Sequence, residues 1–199
     1  MSLTPLEVLR RFRAHDASLA DFLASRVEAQ PEAPLVLFEG ETITAGVFAG
    51  QVATAAALLA ARGIGSGDRL GVLSTNHPST LVLLFACARL GAILVPANPD
   101  YGVEEAAYVF GNAGISGLVA APAMLAVAEA ARDRLAPRPW LLLNEKADDA
   151  SIEPLTDALA GTQGSPPPPV ADGAGRTCLL VYTSGTTGFP KGCMLTHDY

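Results

Sequence analysis

Apolar residues along this chain recur in two alternating rhythms. Between residues 18 and 30, Leu19, Phe22, Leu23 and Val27 fall on one helical face, with Ser18 and Asp21 spaced as a capping pair. A short apolar run at 35–38 reads as a strand, which Glu39-Gly40 turns toward Thr42-Ile43. Thr44 is placed to cap a second helix running to Ala61 and closed by Gly63, its alanine-rich body suited to lying close on a sheet. The rhythm then becomes regular. Strands are predicted at 69–74, 92–96, 117–120 and 140–143, and helices at 78–90, 103–111 and 122–135. A helix in each gap between strands means βαβ units. The predicted fold is therefore α/β: a mostly parallel, Rossmann-like sheet with helices on both faces and right-handed crossovers.

Near residue 148 the composition shifts. Residues 148–175 are acidic and rich in Gly, Ser and Pro, with four consecutive prolines at 166–169, and read as an exposed connector. A strand at 177–182, a polar loop and a strand at 192–196 follow, making a β-hairpin. The expected organisation is an α/β unit over 1–147, the connector over 148–175, and a strand–loop–strand unit over 176–199.

Composition narrows the function. Half of the 199 residues are hydrophobic and 17% are charged, so a core can form. The net charge is −7 with no Lys/Arg block, which argues against a nucleic-acid partner. The apolar runs are too short to span a bilayer and no signal peptide is recognisable. Cys87, Cys178 and Cys193 lack metal-ligand or CxxC spacing and are expected to be reduced thiols in a cytoplasmic protein, with no metal site.

The candidate chemistry lies in Thr183-Ser184-Gly185-Thr186-Thr187-Gly188-Phe189-Pro190-Lys191-Gly192. This is not a Walker A loop, because Lys191 is followed by Gly192 and a strand-like run instead of Ser/Thr and a helix. Gly185 and Gly188 permit backbone conformations in which successive N–H groups converge on an anion. Thr183, Ser184, Thr186 and Thr187 supply hydroxyl donors, Pro190 stiffens the exit, and Lys191 can neutralise a phosphate oxygen. Lys191 is one of only two lysines among 13 basic residues. By composition alone, a solvated Gly/Ser/Thr hairpin with no ligand is the competing reading.

The order of these residues resembles, without a departure, the signature loop of the adenylate-forming superfamily. That superfamily holds AMP-forming acyl-CoA synthetases, peptide-synthetase adenylation domains and beetle luciferases. Gly67-Asp68-Arg69-Leu70-Gly71-Val72, Gly91-Ala92-Ile93-Leu94-Val95-Pro96-Ala97-Asn98-Pro99 and Met194-Leu195-Thr196-His197 resemble further segments of the same superfamily, so the likeness extends over residues 18–199. It implies a ligase that joins a carboxylic acid to AMP from ATP with Mg²⁺, then passes the acyl group to a thiol, usually coenzyme A. It also implies that Thr183, Ser184, Gly185, Thr186, Thr187, Gly188 and Lys191 hold the β- and γ-phosphates of ATP. The superfamily's adenine segment, ribose-binding Asp and mobile C-terminal domain with its catalytic lysine have no counterpart before residue 199. No catalytic residue is therefore assigned, and the chain is expected to be the front of a longer enzyme, inactive without the missing C-terminal part. Two alternatives stand beside the CoA ligase: an adenylation domain serving a carrier protein, and a non-catalytic nucleotide-binding remnant.

Other polar residues have plainer readings. His197 is expected to donate hydrogen bonds at a strand end. Ser74, Thr75 and Asn76 are expected to cap the helix after His77, a ligand-facing role for this βα loop being the less favoured reading. Asn98-Pro99-Asp100 reads as a turn, Glu104 and Glu105 as charges matched to a helix N-terminus, Trp140 as core, and His15 as exposed.

Overall fold

A computed structural model describes residues 17–147, 151–171, 173–183 and 190–199. It opens with helix α1 (Leu19–Ala29), started by the predicted capping box. The Ser18 hydroxyl accepts from the Asp21 amide at 3.2 Å, while the Ser18 amide donates to Asp21 Oδ2 at 2.9 Å. Strands β1 (Pro34–Phe38) and β2 (Glu41–Thr44) form a separate antiparallel hairpin. Its two-residue turn places both Glu39 (φ 49°) and Gly40 (φ 86°) in the left-handed region, as hairpin twist requires. Thr44 then caps α2 (Ala45–Ala61), accepting from the Val47 amide.

The main sheet has six strands. Going along the chain they are β3 (Arg69–Leu73), β4 (Ile93–Ala97), β5 (Gly117–Ala120), β6 (Trp140–Leu143), β7 (Thr177–Thr183) and β8 (Lys191–Thr196). Their spatial order is β6-β5-β3-β4-β7-β8, all parallel except β8, which runs antiparallel to β7 at the edge. The hairpin predicted to follow the sheet is thus part of it. Helix α3 (Pro78–Leu90) connects β3 to β4, and α4 (Val103–Ala113) connects β4 to β5. The predicted helix over 122–135 is shorter: a 3₁₀ turn (Pro122–Met124) leads into α5 (Leu125–Arg132). Beyond Arg132 the bonds tighten to the three-residue spacing of Arg134 to Ala131 and Leu135 to Arg132, and the helix stops.

Side-chain alternation divides the core between two faces of the sheet. Leu70, Val72, Leu94, Val119 and Leu142 point to the side covered by α1, α2 and α3. Leu73, Val95, Leu118, Ala120 and Leu141 point to the side covered by α4 and α5. Alanines at Ala55 and Ala56 are fully buried, and α2 lies close against the neighbouring α3 on this side of the sheet. Within the acidic connector, helix α6 (Leu155–Ala160) buries Leu155 and Ala158 against the α2 side, an element that composition did not suggest. Arg62 fastens the start of this segment through Glu153 at 2.5 Å. Further along, Arg89 Nε donates to the Pro167 carbonyl and the Arg89 carbonyl accepts from Val170, so the proline run is tied to the end of α3.

Candidate functional site

Five strands end at one edge of the sheet, and Thr183, together with the loops carrying Ser74, His77 and Asn98, lies there. The chain leaves β3 for one face and β5 for the other, and these strands are neighbours, so the topological switch lies between them. Ligands of open α/β sheets bind in the crevice outside the carboxyl ends of strands at such a point. Because β7 is parallel to β4, the predicted phosphate hairpin opens at the same edge.

Two of the seven predicted phosphate-contacting residues fall among the described residues. Thr183 closes β7 and Lys191 opens β8, and the two are paired directly across the hairpin. Both are exposed, while Pro190 is buried at the point of return. The lysine therefore sits at the mouth of the loop and faces solvent. Ser184, Gly185, Thr186, Thr187 and Gly188 lie outside the described residues.

One residue pair below the mouth, Tyr182 opposes Gly192. Tyr182 is only 9% exposed, and its phenol donates to Asn112 Oδ1 at 2.6 Å. Burial, with Tyr108 nearby, raises the phenol's pKa above its ordinary range. Composition gave no hint of this bond, because Asn112 and Tyr182 are 70 residues apart in the chain. The only signal was the bulky aromatic immediately before the polar loop.

A cleft of about 420 Å³ opens between the β1–β2 hairpin and the ends of β3 and β4, lined by Val36, Phe38, Val72, Ser74, His77 and Pro96 among others. Its polar end is held internally. His77 is itself the cap of α3, where Ser74, Thr75 and Asn76 were expected: its Nδ1 accepts from the Ser79 amide at 3.2 Å and meets Ser79 Oγ at 2.6 Å. The acceptor role of Nδ1 leaves the proton on Nε2, which faces Glu145 Oε1 at 3.1 Å. Asn144 donates to Ser74 Oγ at 3.0 Å from the loop after β6, so the loops leaving β3 and β6 are joined. With both ring nitrogens engaged, His77 is a brace between loops.

The remaining candidates have structural roles. His197 Nδ1 accepts from the Leu19 amide at 3.2 Å, whereas a donor role was expected. The Asp100 amide donates to Asn98 Oδ1, as the predicted turn requires. Glu105 accepts from the Gly102 amide at the start of α4, and Glu104 pairs with Arg134 at 2.6 Å. Trp140 packs against the core with the Arg62 guanidinium 5.4 Å from its ring centroid. His15 lies outside the described residues. Among the described residues, no three His, Cys, Asp or Glu side chains gather to hold a metal, and no helix is long and apolar enough to cross a membrane.

The fold is an α/β sheet, parallel but for its edge strand, whose carboxyl edge carries a Lys-bearing hairpin, and comparison with known proteins gives its family. The profile of the AMP-binding enzyme family matches residues 23–199, and the chain belongs to that family. It is 37% identical over 180 residues to the feruloyl-CoA synthase of Amycolatopsis sp, covering 90% of this chain and 33% of that protein. The long-chain-fatty-acid–CoA ligase of Thermus thermophilus is 34% identical over 140 residues, covering 70% of this chain and 25% of that one. In fold it superimposes on the anthranilate CoA ligase AuaEII with a TM-score of 0.84 at 19% identity, over 95% of this chain and 36% of that structure. The chain thus spans about a third of the length of the feruloyl-CoA synthase it matches.

Proposed function

We propose that this chain is the nucleotide-gripping front of an AMP-forming carboxylic acid–CoA ligase. In this reading the hairpin from Thr183 to Lys191 holds the β- and γ-phosphates of ATP while a carboxylate attacks the α-phosphorus. Charge then accumulates on the departing pyrophosphate, and donors already aimed at it lower the barrier. The observation that carries the reading is the position of Lys191, exposed, opposite Thr183, at the carboxyl edge of a parallel sheet.

Magnesium fits this site as a companion of the polyphosphate, whose oxygens supply most of its ligands, so no dedicated protein cage is needed. Bound there, it would neutralise phosphate charge. The Lys191 ammonium and the loop hydroxyls would orient the same oxygens. Coenzyme A as acceptor is supported by the names of the relatives, which are CoA synthases and ligases. Those names include aromatic and long-chain acids, so the acid is assigned only by class. The unpaired thiols fit a reducing compartment such as the cytoplasm. The boundaries at 147 and 176 are kept as marks along the chain in this proposal, the loop-bearing strands belonging to the same sheet as the strands before the connector.

The test is exchange of radiolabelled pyrophosphate into ATP by the full-length enzyme, run against a panel of aromatic and aliphatic acids. Carboxylate-dependent exchange, with AMP as the nucleotide product once coenzyme A is added, is expected. Formation of ADP and phosphate, or exchange with no acid of either class, would sink the assignment.

A further inference from the structure

Lys191 can act on a phosphate only if the mouth of the hairpin is held at a fixed opening. The main-chain bonds that fix it are limited. Among the described residues β8 is an edge strand paired with β7 alone, and β7 is in register with β4 at Leu94↔Leu179, three residues before Tyr182. Between that pair and the loop, the side chains of Leu180 and Tyr182 pack the hairpin on the body, and of these two only Tyr182 carries a polar anchor. A Cβ on Gly192 would lie 3.1 Å from both Leu180 Cδ1 and Tyr182 Cζ and 3.3 Å from Tyr182 Cε1, so the ring, beside Leu180, rests against the bare backbone of the opposite strand. The same ring extends to the last turn of α4, where its hydroxyl meets Asn112 at 2.6 Å. One side chain therefore touches both legs of the hairpin and the helix layer below.

We propose that Tyr182, seated on Gly192 and anchored by Asn112, is a positioning residue that sets the opening of the hairpin and with it the place of Lys191. This rests on the phosphate-loop reading above. A phenol at this depth could simply be satisfying its own hydroxyl. The arrangement on Gly192 argues for more. A side chain there would push the ring off the strand, and an ångström of displacement at a reacting group is enough to lose much of its rate contribution.

The experiment uses the full-length enzyme and measures pyrophosphate exchange and thermal midpoint for four variants: Tyr182→Phe, Asn112→Leu, the double Tyr182→Phe/Asn112→Leu, and Lys191→Ala. Tyr182→Phe is expected to raise the KM for MgATP about fivefold, the factor that the net worth of one neutral hydrogen bond corresponds to, with the KM for the acid unchanged. The double variant replaces the polar pair with an apolar one, so its thermal midpoint should recover while its KM for MgATP stays raised. If KM for MgATP follows the thermal midpoint back to the wild-type value, Tyr182 is structural only and the proposal is overturned. If Lys191→Ala weakens MgATP and Tyr182→Phe does not, the positioning role alone is overturned. If Lys191→Ala also leaves MgATP unaffected, the phosphate-loop reading fails and takes this proposal with it.

Discussion

The Nδ1 of His197 accepts a hydrogen bond from the backbone amide of Leu19 at 3.2 Å, joining two residues 178 positions apart. The bond satisfies one of the free amides in the first turn of α1, a task that capping side chains usually perform. It thereby couples the end of β8 to the first described helix.

That bond has a pH signature. Burial, and after it the Arg176 charge, lower the His197 pKa below its ordinary 6.5, against smaller opposing effects of Asp21 and Asp198. A proton therefore binds the unfolded chain at higher pH than the folded one. The His197 contribution is complete above about 6.5 and declines as pH falls through the lower folded value. Thermal midpoints are expected to fall over this mildly acidic window, and the fall should be shallower in His197→Gln, which keeps a neutral acceptor. Equal slopes in the two proteins would refute the coupling. Asp21 acts in a separate, more acidic window, because bonds from Ser18 hold its pKa below 3.8.

Gly117 tests the packing of β5 on β6. It pairs with Trp140, and a Cβ at this position would lie 2.2 Å from Trp140 Cζ2. Gly117→Ala must push the indole aside within a filled layer, an overpacking that costs about 1–3 kcal/mol. A lower urea midpoint with an unchanged m-value is expected, and pairing the change with Trp140→Leu should restore part of it.

Lys191→Ala should leave folding intact, because the side chain is exposed. A lysine–phosphate contact is worth about 1 kcal/mol in water and several times more where water is excluded. The expected loss in kcat/KM for ATP is therefore about ten- to a thousandfold. Gly188→Val is expected to impair adenylate formation in the same direction. Normal turnover by both variants would remove the loop from the mechanism.

Thiol chemistry gives a check that needs no activity. Cys193 is exposed on the edge strand, whereas Cys87 and Cys178 are buried and burial raises the pKa of both. A thiolate reagent should label Cys193 alone in the native 199-residue chain and all three cysteines in urea, read by peptide mass spectrometry. Native labelling of Cys87 would contradict the packing of α3.

Much of this fold was legible before any coordinates, because βα alternation and helix caps are local. Ser18 with Asp21, Thr44, and the Gly91 that ends α3 at φ 70° each act within a few residues, so spacing and residue type suffice to find them. The Thr183–Lys191 loop was singled out the same way, since the residues proposed for it are contiguous. What failed was not local: α6 is too short to announce itself, and it is held by burying Leu155 and Ala158 on distant residues.

By itself, then, the sequence determined the layers, the α/β alternation and most helix starts, all written in neighbouring residues. Only the tertiary structure decided the strand order, which carries β7 back beside β4 and sets the hairpin at the carboxyl edge. Only it brought Asn112 to Tyr182, Asn144 to Ser74 and His197 to Leu19. Such pairs depend on how whole elements stack to bury apolar surface, a property of the assembled core that no short stretch of chain contains.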